Sequence, residues 1–127
     1  MDRWLELALE AVREAGVAIM RYYPETLAVQ YKQDGSPLTL ADQAAHRVIT
    51  DRFVGGGLVV VSEEGDDLHL AADRYWLVDP LDGTKDFLAG NGEFTVNIAL
   101  VDQGRPVLGV VFAPAINALY WGAEGKG

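Results

Sequence analysis

The sequence predicts an α+β fold in which two amino-terminal helices pack on a mainly antiparallel β-sheet. Three observations support this fold class: helical periodicity in the amino-terminal part, two short apolar runs in the middle that each stop at acidic residues, and apolar–polar alternation in the last third. With 127 residues and a hydrophobic fraction of 50%, the chain can bury a single core. One domain is therefore expected.

The helices come first. Apolar residues at helical spacing predict a first helix from about Arg3 to Tyr22, and Pro24 prevents its continuation. Residues 39–42, Thr-Leu-Ala-Asp, have the form of a capping box. We expect a second helix to open there and to end near Phe53.

The strands follow. Residues 58–61 and 75–78 are short apolar runs typical of buried strands, and each stops at acidic residues. From residue 94 to 100 apolar and polar residues alternate, and further strands are expected over 107–113 and 119–123. Their short turns predict an antiparallel meander.

The stretch after residue 78 carries the chemistry. Because Pro80 has a fixed φ and no N–H, we expect the chain to leave the strand at Asp79 in a tight turn, so that Asp79 and Asp82 face one pocket. Gly83 lets the backbone approach a ligand, and its N–H and that of Thr84 would point at an anion if they open a helix. Oxygen ligands without Cys or His suit Mg²⁺, which commonly bridges carboxylates to a substrate phosphate. The stretch predicts metal-dependent phosphate chemistry.

Charge and composition restrict the partners. A net charge of −9 and a pI near 4.5 argue against binding to nucleic acid polymers or anionic membranes. A small phosphorylated substrate is compatible, because a bound cation reverses the local potential. The chain has no Cys, no apolar run long enough to span a membrane and no signal-peptide pattern at its start. We expect a cytoplasmic location.

Glu63-Glu64 followed by Asp79 to Thr84 resembles the paired motifs of the inositol monophosphatase superfamily of Mg²⁺-dependent, lithium-sensitive phosphatases. Residues 62–64, 74–87 and 91–100 are most similar to its branch of 3′(2′),5′-bisphosphate nucleotidases of sulfate assimilation. The resemblance implies the amino-terminal half of a layered αβαβα fold. Residues 1–127 would then be one metal-binding αβ domain, with the carboxy-terminal half of the family fold absent.

The resemblance also implies an activity and a set of metal ligands. The reaction is hydrolysis of the 3′-phosphate of adenosine 3′,5′-bisphosphate, or of its sulfated relative, by a metal-activated water, with AMP as the product from the former. Two or three Mg²⁺ ions are expected in the complete family site. The implied metal ligands are Glu63, Asp79, Asp82 and the carbonyl of Leu81.

Catalytic and phosphate-binding roles follow from the same resemblance. Thr84, oriented by Asp42, would hold the attacking water, which Glu63 helps to activate, and Lys32 would contact an outer metal or the phosphate. The implied phosphate-binding residues are Glu63, Leu81, Asp82, Gly83 and Thr84. Asp42 and Thr84 also have a simpler interpretation, since each could stabilise only the start of a helix.

Two alternative functions stay open. One is an inositol monophosphatase-type sugar phosphatase. The other is a catalytically incomplete metal-binding fragment or half domain, which could complete itself as a homodimer. The second alternative rests on the family's later Trp-Asp motif, because Trp121 is followed by Gly122 and does not supply it.

Overall fold

Helices pack on a five-stranded sheet in the computed structural model, which describes residues 2–23, 37–54, 56–62 and 73–124. This arrangement confirms the predicted fold class. The elements in chain order are α1 (Asp2–Met20), α2 (Pro37–Phe53), β1 (Val59–Ser62), β2 (Arg74–Asp82), α3 (Thr84–Ala89), β3 (Thr95–Asp102), β4 (Arg105–Ala113) and β5 (Ala118–Ala123). No helix within the described ranges is long and apolar enough to cross a membrane.

The strands lie in the order β1-β2-β3-β4-β5. Strand β1 is parallel to β2, and the other three pairs are antiparallel. A short turn joins β3 to β4: Gln103 and Gly104 both have positive φ, 52° and 81°, the conformation that lets a two-residue turn reverse a strand. The predicted meander of β3, β4 and β5 is confirmed.

The core lies between the helices and one face of the sheet. Every second residue of β3 is buried there, and Val96, Ile98 and Leu100 are each at most 1% exposed. Helix α1 contacts β3 and β4, and α2 contacts β2. At Gly16 a Cβ atom would lie 2.6 Å from the Phe112 ring, so only glycine lets α1 approach β4 this closely. We call this the core face of the sheet.

The start of the second helix was predicted wrongly. Helix α2 begins at Pro37, so the capping-box sequence from Thr39 to Asp42 lies inside the helix. Proline is well tolerated as the first residue of a helix, where its missing N–H would have no partner anyway. The predicted end at Phe53 is confirmed, and the first helix differs from its predicted bounds by one or two residues.

Candidate metal and phosphate site

The site begins with an irregularity in β2. The sequence predicts that this strand ends at Asp79, which is wrong, because β2 continues to Asp82. Asp79 pairs with Asn97 and Asp82 pairs with Thr95. Three residue steps on β2 therefore span two steps on β3, which defines a β-bulge. Proline is accommodated in a strand at such a bulge, and so Pro80 does not end β2.

The bulge decides where the two carboxylates point. In a regular strand, residues three apart lie on opposite faces of the sheet. Here the extra residue lets Asp79 and Asp82 both pair with one face of β3, that of Thr95 and Asn97. Thr95 and Asn97 lie on the side of β3 opposite its buried core residues. We call this side of the sheet the second face. One bulge therefore brings both carboxylates to the second face.

Asn97 connects the two aspartates. It pairs with Asp79 across the strands, and its amide Nδ2 donates a hydrogen bond of 3.1 Å to Oδ2 of Asp82. Asp79 and Asn97 also line a cavity of about 230 Å³ on this part of the sheet. Asp79 is half-buried, whereas Asp82 is exposed. Asp79 and Asn97 are therefore the polar residues of a cavity whose other lining residues are apolar or glycine.

Helix α3 begins directly after Asp82. Its N-cap is Gly83, whose φ of 92° is the left-handed conformation, and no side chain caps the helix. A Cβ atom at this position would lie 3.2 Å from both Asp86 Oδ2 and the Cα atom of Phe94. Glycine is required here by backbone conformation and by space. Gly83 therefore lets α3 begin immediately after β2, so that the first backbone N–H groups of the helix come directly after Asp82 in the chain.

Aromatic packing anchors α3 from below. The ring of Tyr23, just after α1, lies 4.7 Å from the Phe94 ring and 5.4 Å from the Phe87 ring, and the last two rings are 5.2 Å apart. Phe87 and Phe94 are fully buried. Edge-to-face contacts of this kind add to the stabilisation from burial alone. The packing of these three rings therefore holds α3 in place while the start of the helix is exposed.

The simpler interpretations of two predicted catalytic residues are wrong. Thr84 is the first residue of α3 and not its cap, because Gly83 takes that position. Asp42 is the sixth residue of α2 and half-buried, so it does not cap a helix start either. Helix α2 contacts α3, so the helices that carry the two residues are neighbours. Their catalytic roles stay predictions.

Two predicted site residues, Glu63 and Lys32, lie outside the described residues. Within the described ranges, no group of three or more His, Cys, Asp and Glu side chains is arranged to hold a metal ion. Asp79 and Asp82 are therefore a pair, and the predicted third carboxylate is that of Glu63. The metal ligand set as a whole stays a prediction.

Sequence reasoning assigned no role to Asn97. The available signal was an amide in the middle of an alternating strand, flanked by buried Val96 and Ile98. That signal does not show which residue lies opposite. The partner follows only from the register of β2 against β3, and the bulge alters that register.

The model of the inositol monophosphatase family matches residues 1–127, and the chain belongs to this family. Among its relatives, the 3′(2′),5′-bisphosphate nucleotidase CysQ of Salmonella typhimurium is 51% identical over 129 residues, which cover 96% of this chain and 52% of that protein. The chain thus spans about half the length of the curated relatives it matches.

Solved structures of inositol monophosphatase family members are similar to the chain in fold. The crystal structure of CysQ from Bacteroides thetaiotaomicron, described as a bacterial member of the inositol monophosphatase family, has a TM-score of 0.87 and 42% identity, and the match covers 97% of this chain and 46% of that one. An inositol monophosphatase from Zymomonas mobilis has a TM-score of 0.83 and 30% identity, with 98% and 48% coverage. The backbone is therefore shared by both kinds of relative.

Proposed function

We propose that this chain is the amino-terminal, metal-binding domain of a Mg²⁺-dependent phosphatase that converts adenosine 3′,5′-bisphosphate to AMP. The observation that carries the proposal is the β-bulge, which turns Asp79 and Asp82 to one face immediately before the first N–H groups of α3. Carboxylates for a cation and N–H groups for an anion are thereby adjacent in the chain. A phosphate ester with a bound divalent cation needs both kinds of group.

The donor set fits Mg²⁺. Asp79, Asp82 and the carbonyl of Leu81 offer only oxygen atoms, which hard divalent cations prefer. The Leu81 side chain is 5% exposed, so its burial fixes the backbone between the two carboxylates. Asn97 Oδ1 is buried and has no donor within the described ranges. When bound, the cation would stabilise the charge of the phosphoryl group and lower the pKa of a coordinated water.

The strand register supports a contribution from Glu63. Ser62, the residue before Glu63, pairs with Val78, the residue before Asp79. Because β1 and β2 are parallel, the carboxyl end of β1 lies beside Val78, one residue before Asp79. We therefore include Glu63 as the third carboxylate of the site.

The remaining steps belong to the residues of the chain. The backbone N–H groups of Gly83 and Thr84 would bind the phosphate oxygens, since the first N–H groups of a helix have no partner within it. The Thr84 hydroxyl, exposed at the start of α3, would orient the attacking water. Asp42 would in turn orient that hydroxyl from α2. These groups position reactants, which is most of what phosphoryl transfer requires of a protein.

The substrate class rests on the relatives. The relatives named as CysQ bisphosphate nucleotidases are up to 52% identical to this chain, well above the inositol monophosphatase of Zymomonas mobilis at 30%. A small phosphorylated nucleotide is therefore the first candidate substrate, and an inositol phosphate is the second. The absence of Cys agrees with the proposed cytoplasmic location.

The test is phosphate release from the two substrates compared side by side. With millimolar Mg²⁺, we expect release from adenosine 3′,5′-bisphosphate to exceed release from inositol 1-phosphate, and to disappear with a chelator or in Asp79→Asn. Faster release from the inositol phosphate would favour the second candidate. Mg²⁺ binding without release from either would favour the catalytically incomplete half domain. No binding of Mg²⁺ would contradict the proposal.

A further inference from the structure

Asn97 is a polar residue of the second face to which the predicted ligand set gives no role. Its Nδ2 atom donates to Asp82 Oδ2 at 3.1 Å. An ionised carboxylate only accepts hydrogen bonds, so the amide nitrogen must face Asp82 and the amide oxygen must point elsewhere. The orientation of this amide is thus fixed by Asp82.

The amide oxygen has no hydrogen-bond partner among the described residues. Asn97 Oδ1 is buried and has no hydrogen-bond donor within the described ranges. A buried unsatisfied acceptor destabilises the folded chain. Within the part of the chain that the structure describes, the amide nitrogen has a partner in Asp82 and the amide oxygen has none. An apolar residue of the same size would avoid the cost.

Charge explains why an amide suits this position. Asn97 pairs directly with Asp79 and bonds to Asp82, so it lies beside both carboxylates. An acidic residue would add a third negative charge there, and a basic residue would neutralise the carboxylates and compete with a cation. The neutral amide can orient Asp82 while the local charge stays available to a divalent ion.

We propose that Asn97 is a positioning residue, which holds the Asp82 carboxylate in the orientation that binds Mg²⁺. The inference rests on the proposed function and extends it to a residue outside the predicted ligand set. Residues that orient metal ligands by hydrogen bonds typically affect metal affinity about 10–100-fold when they are replaced. Asn97 itself need not contact the metal or the substrate.

The experiment measures the Mg²⁺ dissociation constant by calorimetry and the melting temperature without Mg²⁺. The key variant is Asn97→Leu, which has the same number and branching of side-chain heavy atoms but no polar atoms. We expect its Mg²⁺ dissociation constant to rise about 10-fold or more, while its melting temperature without Mg²⁺ stays equal or rises. A merely structural role for Asn97 would lower that melting temperature. Asn97→Ala is the second variant, in case leucine disturbs the fold.

A double-mutant cycle with Asp82→Ala separates positioning from general damage. If Asn97 acts through Asp82, then Asp82→Ala and the double variant Asp82→Ala/Asn97→Leu have the same Mg²⁺ affinity. The matched control is Asn91→Ala, because Asn91 Nδ2 also donates to a carboxylate, that of Asp86, at 2.9 Å. We expect this control to change the dissociation constant less than twofold.

Three outcomes of the binding measurements overturn the inference. If the unaltered chain binds Mg²⁺ and Asn97→Leu and Asn97→Ala bind it equally well, Asn97 does not position Asp82 and the proposed function stands. The same conclusion follows if the losses of affinity simply add in the double variant. If the unaltered chain binds no Mg²⁺, the proposed function fails and this inference fails with it.

Discussion

The two faces of the sheet use the same strands for different purposes. On the core face Val78, Ile98 and Val110 are at most 1% exposed, and they pack beneath the helices. On the second face their neighbours Asp79 and Asn97 are half-buried and polar. The period of two in a strand separates them. Adjacent residues in the chain therefore face either the core or the proposed metal site, and substitutions on the two faces should have separable effects.

The largest expected effect is on the core face. Leu100→Ala removes a side chain that is 0% exposed and should lower the free energy of unfolding by about 2–5 kcal/mol. Urea denaturation measures the loss. The corresponding substitution on the second face, Thr95→Ala, should lower the free energy of unfolding by only about 1 kcal/mol or less, because Thr95 is half-buried. Similar losses for both variants would remove the distinction between the faces.

Mg²⁺ should stabilise the chain through the second face alone. A cation that binds only the folded state adds about 2.7 kcal/mol at 100 times its dissociation constant. Asp79→Asn should abolish this gain, whereas Leu100→Ala should keep it in full on a lower baseline. Melting curves with and without Mg²⁺ provide the measurement. A gain that survives Asp79→Asn would place the cation elsewhere.

A smaller loss of stability is expected for a substitution at the start of α3. Gly83→Ala forces a Cβ atom into a left-handed conformation at φ 92° and against Phe94, which should cost about 1–2 kcal/mol. Gly104 is the control, because its φ is 81° but no atom lies within 4 Å of a Cβ there. Chemical denaturation should show a larger loss at Gly83. Equal losses would mean that the contact with Phe94 has no effect.

The smallest effect is expected at the far end of β2 and β3. Arg74 and Asp102 pair across the strands with an ion-pair distance of 3.0 Å, and both are partly exposed. Asp102→Asn should cost about 0.2–1 kcal/mol at low salt, and less at high salt, because exposed ion pairs are weak and screened. Denaturation at two salt concentrations tests this. An effect above about 2 kcal/mol would show that the pair does more than link two strands.

The sequence predicted most elements because their patterns are local. The alternation from Phe94 to Leu100 identifies β3 and its buried face without any knowledge of its neighbours. The start of α2 was missed because two local signals compete: the capping-box sequence at Thr39 suggested the first turn, but Pro37 already fits the first helical position. The local sequence alone does not show which of the two signals marks the start of the helix.

The geometry of the site was harder to predict, because it depends on the pairing of two strands. Pro80 indicated a turn, and nothing in the sequence distinguishes a proline that ends a strand from one that sits in a bulge. The partnership of Asn97 with Asp79 and Asp82 depends on that bulge. The residue types of the site could therefore be proposed from sequence, whereas the way in which they are held together could not.

The most direct test of the proposed metal site is a crystal structure of the chain grown with Mn²⁺ in place of Mg²⁺, with anomalous scattering used to locate the ion. We expect an anomalous peak on the second face within about 2–2.3 Å of carboxylate oxygens of Asp79 and Asp82, close to the distance Mg²⁺ requires. The Asn97 amide should still donate to Asp82. A peak away from these carboxylates, or no peak at millimolar Mn²⁺, would contradict the proposed metal site at Asp79 and Asp82.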